Sequence, residues 1–148
     1  MAVYRYNYFP DIHEGFDILR KRVLIERVDR PKAPVAFAYK KIKTDIVWCL
    51  LDSGADDIIL NNEFAVFLKI DLSKSPEFET QVVGGGSIKV KRHPIDVIFE
   101  KRKLSLMADF SDTHPFPILG RVFFKCFESI NFRQPEKTTE LVLPSKSN

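Results

Sequence analysis

Trp48-Cys49-Leu50-Leu51-Asp52-Ser53-Gly54-Ala55-Asp56-Asp57-Ile58-Ile59-Leu60 sets apolar runs on either side of a carboxylate, a hydroxyl and a glycine. A carboxylate at the end of an apolar, strand-like run is costly to desolvate unless it has partners or a chemical task. Ser53 and Gly54 read as a tight loop that brings hydrogen-bond donors close to Asp52, and Gly54 lets the backbone itself approach the carboxylate. One chemistry uses such a loop twice: two carboxylates share a single proton and together activate a water molecule. Only one Asp-Ser/Thr-Gly occurs in this chain, because Asp112-Thr113 runs into His114. A catalytic Asp52 therefore requires its partner from a second copy of the chain. The plain alternative for Asp52 is a loop carboxylate that caps a turn.

The 148 residues suit one domain, and at 45% hydrophobic they can bury a sizeable core. A formal charge of +3 is too small to imply nucleic acid as a partner. Cys49 lies in an apolar run and Cys126 in a phenylalanine-rich one, without metal-ligand spacing, so both read as buried thiols rather than a disulfide. The first residues, Met-Ala-Val-Tyr-Arg-Tyr, lack the regions of a signal peptide, and no apolar stretch approaches the ~20 residues of a membrane span. The expectation is a soluble, cytoplasmic protein with neither a membrane nor a nucleic acid as partner.

Residues 1–20 mix aromatic, charged and proline residues without period and read as an N-terminal arm. Strands are expected over 23–28, 35–39, 46–51 and 58–60, the third apolar nearly throughout and so buried on both faces. Asn61 or Asn62 is the expected cap of a helix over 63–69, with Phe64, Phe67 and Leu68 on one face. Residues 78–83 and 87–91 flank Gly84-Gly85-Gly86 as a hairpin; 95–99 and 104–108 flank a charged turn as a second. A short strand at Ile118-Leu119, a short helix over 122–129 and a polar C-terminal tail from 134 to 148 complete the reading, leaving 21–133 as the domain. Many short strands with closely spaced turns imply a mainly β, barrel-like domain with one or two short helices.

The segment Cys49 to Asp57 resembles the active-site segment of retropepsins, the single-domain aspartic proteases of retroviruses and their cellular relatives. In the same order, Val82-Val83-Gly84-Gly85-Gly86-Ser87-Ile88-Lys89-Val90 resembles the flap hairpin of that family. Pro117-Ile118-Leu119-Gly120-Arg121 resembles its apolar-apolar-Gly-Arg element, and Glu128-Ser129-Ile130-Asn131-Phe132 resembles a retroviral C-terminus. The resemblance covers roughly residues 46–132. It implies a closed retropepsin-like (acid protease) β-barrel, a homodimer, one catalytic Asp per subunit and two flaps over an extended peptide. It further implies that Ser53 bonds across the dimer, and that Ala55 and Asp56 contact the substrate main chain. Asp56 would pair with Arg121, next to Gly120, as structural support; a solvated Asp56 is the plainer reading. Asp57 either lines an outer pocket or is an exposed loop charge. Gly84, Gly85, Gly86 and Ile88 would close on the substrate. Departures are the extra N-terminal residues, the extension past Phe132, a helical stretch after the active-site loop, and the lack of an aromatic near the flap base unless Phe78 serves from a different register.

Leu50, Val83, Ile88, Val90 and Ile118 are expected pocket walls, which favours apolar side chains flanking the cut. Lys89, Lys91, Arg92 and His93, and likewise residues 101–103, read as solvated turn charges. The glycine run lacks Gly-x-Gly-x-x-Gly spacing and is no phosphate cradle; Gly-x-Ser-x-Gly is absent, so Ser53 is no hydrolase nucleophile. His93 and His114 have no companion at ligand spacing, so no metal and no cofactor are assigned. The expected function is that of an aspartic endopeptidase acting on peptide or protein. Its first rival is a catalytically weak or inactive dimeric module of the same fold that binds peptide. The second, a basic barrel that binds single-stranded nucleic acid, would need an aromatic-studded basic face that this sequence does not offer.

Overall fold

The computed structural model describes residues 2–82 and 84–145; Val83, an expected pocket wall, lies outside the described residues. The chain runs through β1 (Val3–Asn7), β2 (Phe9–Asp17), β3 (Arg22–Arg30), β4 (Lys32–Tyr39), β5 (Ile42–Lys43), β6 (Val47–Leu51) and β7 (Ile58–Asn61). Helix α1 (Asn62–Phe67) and a 3-10 turn (Leu72–Lys74) follow, then β8 (Glu77–Val82), β9 (Gly86–Phe99), β10 (Arg102–Ser111) and β11 (Ile118–Leu119). Helix α2 (Arg121–Phe124), β12 (Ser129–Arg133) and β13 (Thr138–Val142) end it.

Strand pairing closes on itself. β4 pairs with β6, β6 runs parallel to β11, β11 pairs with β7, β7 runs parallel to β10, β10 pairs with β9, and β9 returns to β4. This is the mainly β, closed barrel with short helices that the sequence implies; closure leaves no unpaired edge along the ring. The barrel fills from alternate strand positions: Ile95, Val97 and Phe99 of β9 point inward with Val35 and Phe37 of β4. Phe99 takes Tyr4, Phe123 and Phe127 edge-on at ring distances of 5.4, 6.1 and 5.2 Å. Each such ring stabilises by about 1.5–3 kcal/mol relative to exposure.

Several elements differ from expectation, each for a physical reason. β6 is buried on one face only: Cys49 and Leu51 point into the core, while Trp48 stays 37% exposed and packs against Phe9 and Tyr6. Helix α1 starts where expected, with the Asn61 side chain accepting from the Glu63 amide at 2.9 Å. Its buried side is the one shared by Phe64, Ala65 and Leu68, and at about 100° per residue Phe67 falls beside it and is exposed. The two strands expected over 87–91 and 95–99 are one, β9. Pro94 interrupts nothing because it falls between the stretch paired to β8 and the stretch paired to β4, where no partner on that side needs its missing N–H.

The two chain ends differ most. Residues 1–20, expected as an arm, form β1 and β2, and the polar tail contains β13. β13 is the middle strand of the sheet β1-β13-β12, with Thr139, Glu140 and Leu141 buried. Its one acidic side chain is held by arginines of both neighbours, Arg5 at 2.6 Å and Arg133 at 3.2 Å from Glu140 Oε1. β2 and β3 pair with each other and with no other strand among the described residues, leaving Ile12, Val23 and Ile25 exposed. No helix among the described residues is long and apolar enough to cross a membrane.

Leu141→Ala is expected to cost about 2–5 kcal/mol in urea unfolding, as deletion of a core side chain does. A change under ~0.5 kcal/mol, the scale of a surface position, would mean that 138–142 is the polar tail its composition suggests.

Candidate active site

The Asp52 loop is tied down by backbone from three directions. Leu51 donates its amide to the Pro31 carbonyl at 2.9 Å, Leu50 to Pro117 at 3.0 Å, and Asp52 to Leu119 at 3.1 Å. The Ala55 amide closes the turn on the Asp52 carbonyl at 3.2 Å. Asp52 itself is half-buried, and its Oδ1 accepts the Gly54 amide at 2.9 Å. A Cβ on Gly54 would sit 3.2 Å from that oxygen, so glycine suits this approach. Ser53 is exposed, and its hydroxyl bonds nothing among the described residues.

Behind the loop, the start of α2 supplies the carbonyls of residues 55–57 with donors. Gly120 donates to Asp57 at 3.1 Å, Arg121 to Ala55 at 2.8 Å and Val122 to Asp56 at 2.9 Å. A Cβ on Gly120 would lie 2.3 Å from the Asp57 carbonyl oxygen and 2.6 Å from that of Ala55, so only glycine allows this contact. The Arg121 side chain adds an ion pair to Asp56, Nε to Oδ1 at 3.0 Å, with Nη2 on the same oxygen.

In front of the loop lies a groove of about 560 Å³. Asp52, Gly54, Ala55, Asp56 and Asp57 form its floor, with Ile59 and Ile118 beside them. The β8–β9 hairpin overhangs it with residues 78–82 and Ile88, and Gly84 and Gly85 turn at its tip with φ of 106° and 86°. Those two values lie where glycine alone is unstrained.

Of the site residues read from sequence, Asp52, Gly54, Ala55, Asp56, Asp57 and Ile88 line this groove; Gly84, Gly85 and Gly86 form the hairpin tip, and Gly120 and Arg121 stand behind the loop. Among the expected pocket walls Ile118 and Ile88 line the groove, whereas Val90 is buried in the core, 1% exposed, and Leu50 is half-buried away from the groove.

Arg92 and Asp109 were not anticipated at the site. Arg92, read as a solvated turn charge, lies in β9 directly opposite Asp109 of β10. Its Nε and Nη2 meet the two Asp109 oxygens at 2.7 and 2.9 Å, and Nη2 also meets Asp57 Oδ2 at 3.0 Å. Asp109 is 1% exposed. The signal was in the sequence: a carboxylate inside Leu106-Met107-Ala108-Asp109-Phe110 needs a buried cation for the reason Asp52 needs a task. Burial pushes the Asp57 carboxyl above its usual range, with the Asp109 charge adding to it and Arg92 opposing. Burial lowers the His114 imidazole, which lines the groove with Nε2 unpartnered. No cluster of three or more metal-ligating side chains occurs among the described residues.

No family model matches the sequence, and no curated protein matches it. Among solved structures, a retropepsin-like aspartic protease from Rickettsia conorii aligns with a TM-score of 0.57 and 17% identity, over 92% of this chain and 95% of that one. The EIAV protease complexed with the inhibitor HBY-793 aligns with a TM-score of 0.49 and 23% identity, over 66% of this chain and 86% of that one. The first likeness shows that the fold is retropepsin-like.

Gly120→Ala is expected to lower stability by roughly 2–3 kcal/mol, the scale of an overpacked site. Gly86→Ala, whose Cβ would meet only Val82 Cγ2 at 3.4 Å, is expected to change it by less than ~1 kcal/mol. Equal melting temperatures for the two variants would show that the loop does not depend on the close approach at Gly120.

Proposed function

We propose that this chain is an aspartic endopeptidase that works as a homodimer, with Asp52 of each copy forming the catalytic dyad. The observation that carries the reading is the geometry of Asp52. It ends a core strand, its loop is fixed by backbone hydrogen bonds, its carboxylate has one backbone donor, and it opens on a groove roofed by a glycine-tipped hairpin. A retropepsin-like fold supports the reading without establishing the activity.

Two such carboxylates in contact share one proton. The ionised carboxylate takes a proton from water as the water oxygen attacks the scissile carbonyl carbon. The protonated one gives its proton to the carbonyl oxygen. The tetrahedral diol then collapses: the departing nitrogen takes a proton from one carboxyl as the C–N bond breaks, and a diol hydroxyl returns its proton to the other carboxylate as the new carbonyl forms. An extended peptide would lie in the groove as an added strand between the hairpin and the floor. Ala55 and Asp56 would face its main chain, Asp57 an outer side chain, and Ile59, Ile88 and Ile118 the apolar side chains at the cut. Gly84, Gly85 and Gly86 would give the hairpin the freedom to close and exclude water. Ser53, exposed in the single chain, would bond across the dimer.

The test is cleavage of a diverse peptide mixture across roughly pH 3 to 8, the range in which a carboxylate dyad titrates. Native chain is expected to cut between apolar residues, with specific activity falling on dilution as dimers separate. Asp52→Asn is expected to lose at least about a thousandfold in rate with an unchanged circular dichroism spectrum. Cleavage retained by that variant would refute the dyad. No cleavage by native chain at any pH, with peptide still bound, would leave the dimeric binding module as the better reading.

A further inference from the structure

We propose that the end of the groove formed by Asp57, Arg92 and Asp109 is a subsite for a cationic side chain, lysine or arginine, of the peptide. This inference rests on the endopeptidase reading and names the substrate class of that site.

The argument is one of uncompensated charge. Arg92 brings one positive charge to two carboxylates, so with both ionised the trio carries a net charge of −1. Asp109 takes the larger share, both of its oxygens being bonded to the guanidinium while its side chain is sealed from solvent. Asp57 receives one contact, on Oδ2, shared with Asp109. Its Oδ1 has no hydrogen-bond partner among the described residues, and its side chain is 33% exposed. The guanidinium cannot turn away from Asp109 to serve Asp57 better: the Phe78 ring of β8 covers it, 4.8 Å from the ring centre. The unmet valence therefore belongs to Asp57, the more exposed of the two carboxylates.

The surroundings reinforce it. Asp52, Asp56, Asp57, Glu79 and Asp109 line the groove; Arg121 answers Asp56 from behind the loop, and Arg92 is the one lysine or arginine among the lining residues. The chain as a whole is basic, at +3, so this acidity is local rather than compositional. A glutamate side chain here would meet repulsion. An amide would gain a hydrogen bond and leave the charge unmet, and an aliphatic chain would leave both. Lysine or arginine satisfies Oδ1 and the charge together, in a partly desolvated place where an ion pair is worth more than on an open surface.

The experiment walks lysine, norleucine and glutamate through the positions flanking the cut of one cleaved peptide, with an uncleaved fluorescent set titrated in parallel for binding. At one outer position lysine is expected to exceed norleucine roughly 3- to 10-fold in kcat/KM or affinity, and glutamate to fall below both. Asp57→Asn is expected to bring the lysine-to-norleucine ratio at that position near one; rescue by Asp57→Glu would separate charge from shape. Cleavage without lysine preference at any position would overturn the subsite and leave the endopeptidase reading intact. Selective binding of the lysine peptide without cleavage would uphold the subsite and count against the endopeptidase reading. Equal binding of all three peptides without cleavage would overturn the subsite as well.

Discussion

The contact on which the rest of the site depends is backbone on backbone. The amides at the start of α2 meet the carbonyls of Ala55, Asp56 and Asp57, with Gly120 against both Asp57 and Ala55 at distances no side chain permits. A loop of irregular backbone at the end of a core strand would otherwise bury carbonyls without donors, at a cost of about 1–3 kcal/mol each. β11 performs the same service one step earlier: it lies parallel to β6 and antiparallel to β7, so the strands entering and leaving the loop are pinned by one short element. The Asp52 loop therefore has little freedom of its own. The hairpin opposite turns at its tip on two glycines at positive φ.

Three carboxylates at the ends or middles of core strands show three solutions to one electrostatic problem. Glu140, in the middle of the terminal sheet, takes arginines from the strands on either side, and these hold its carboxyl below the usual range. Asp109 takes both nitrogens of a single arginine from the facing strand. Among the described residues Asp52 has no ion-pair partner and accepts one backbone amide. Glu140 and Asp109 are thus paired with arginine, and Asp52, in a loop tied down by backbone, is not. A rigid position with an unpaired charge is costly unless a second copy or a substrate completes it.

The barrel strands, the Asn61 cap, the glycine turn and the Asp52 loop were legible because each is encoded within a few residues: alternation, a capping side chain, or a φ only glycine tolerates. The chain ends were not. Thr138-Thr139-Glu140-Leu141-Val142 has no apolar alternation, and its burial comes from Arg5, Arg133 and the tyrosines of β1, partners more than a hundred residues away for the N-terminal ones. Phe67 misled because the buried side of α1 centres on Ala65 and Leu68, and an i, i+3 spacing from Phe64 leaves Phe67 at its edge. Arg92 misled through its neighbours. Lys89 and Lys91 lie beside it in sequence and are solvated or half-exposed, while strand alternation turns Arg92 toward Asp109. The buried carboxylate of Asp109, not the basic run, was the informative half of that pair.

Arg92 also joins parts of the groove that sequence reading keeps separate. It sits in β9 past the base of the hairpin, beneath Phe78 of β8, and it holds Asp57 at the floor and Asp109 in the wall. Hairpin base and floor are therefore linked through a planar group that stacks on one side and bonds on its edge. Lysine at position 92 would keep the charge but lose the fork that reaches Asp57 and Asp109 together, and with it the flat face under Phe78. The hairpin tip, by contrast, turns on Gly84 and Gly85 at positive φ, beyond the Phe78–Arg92 stack.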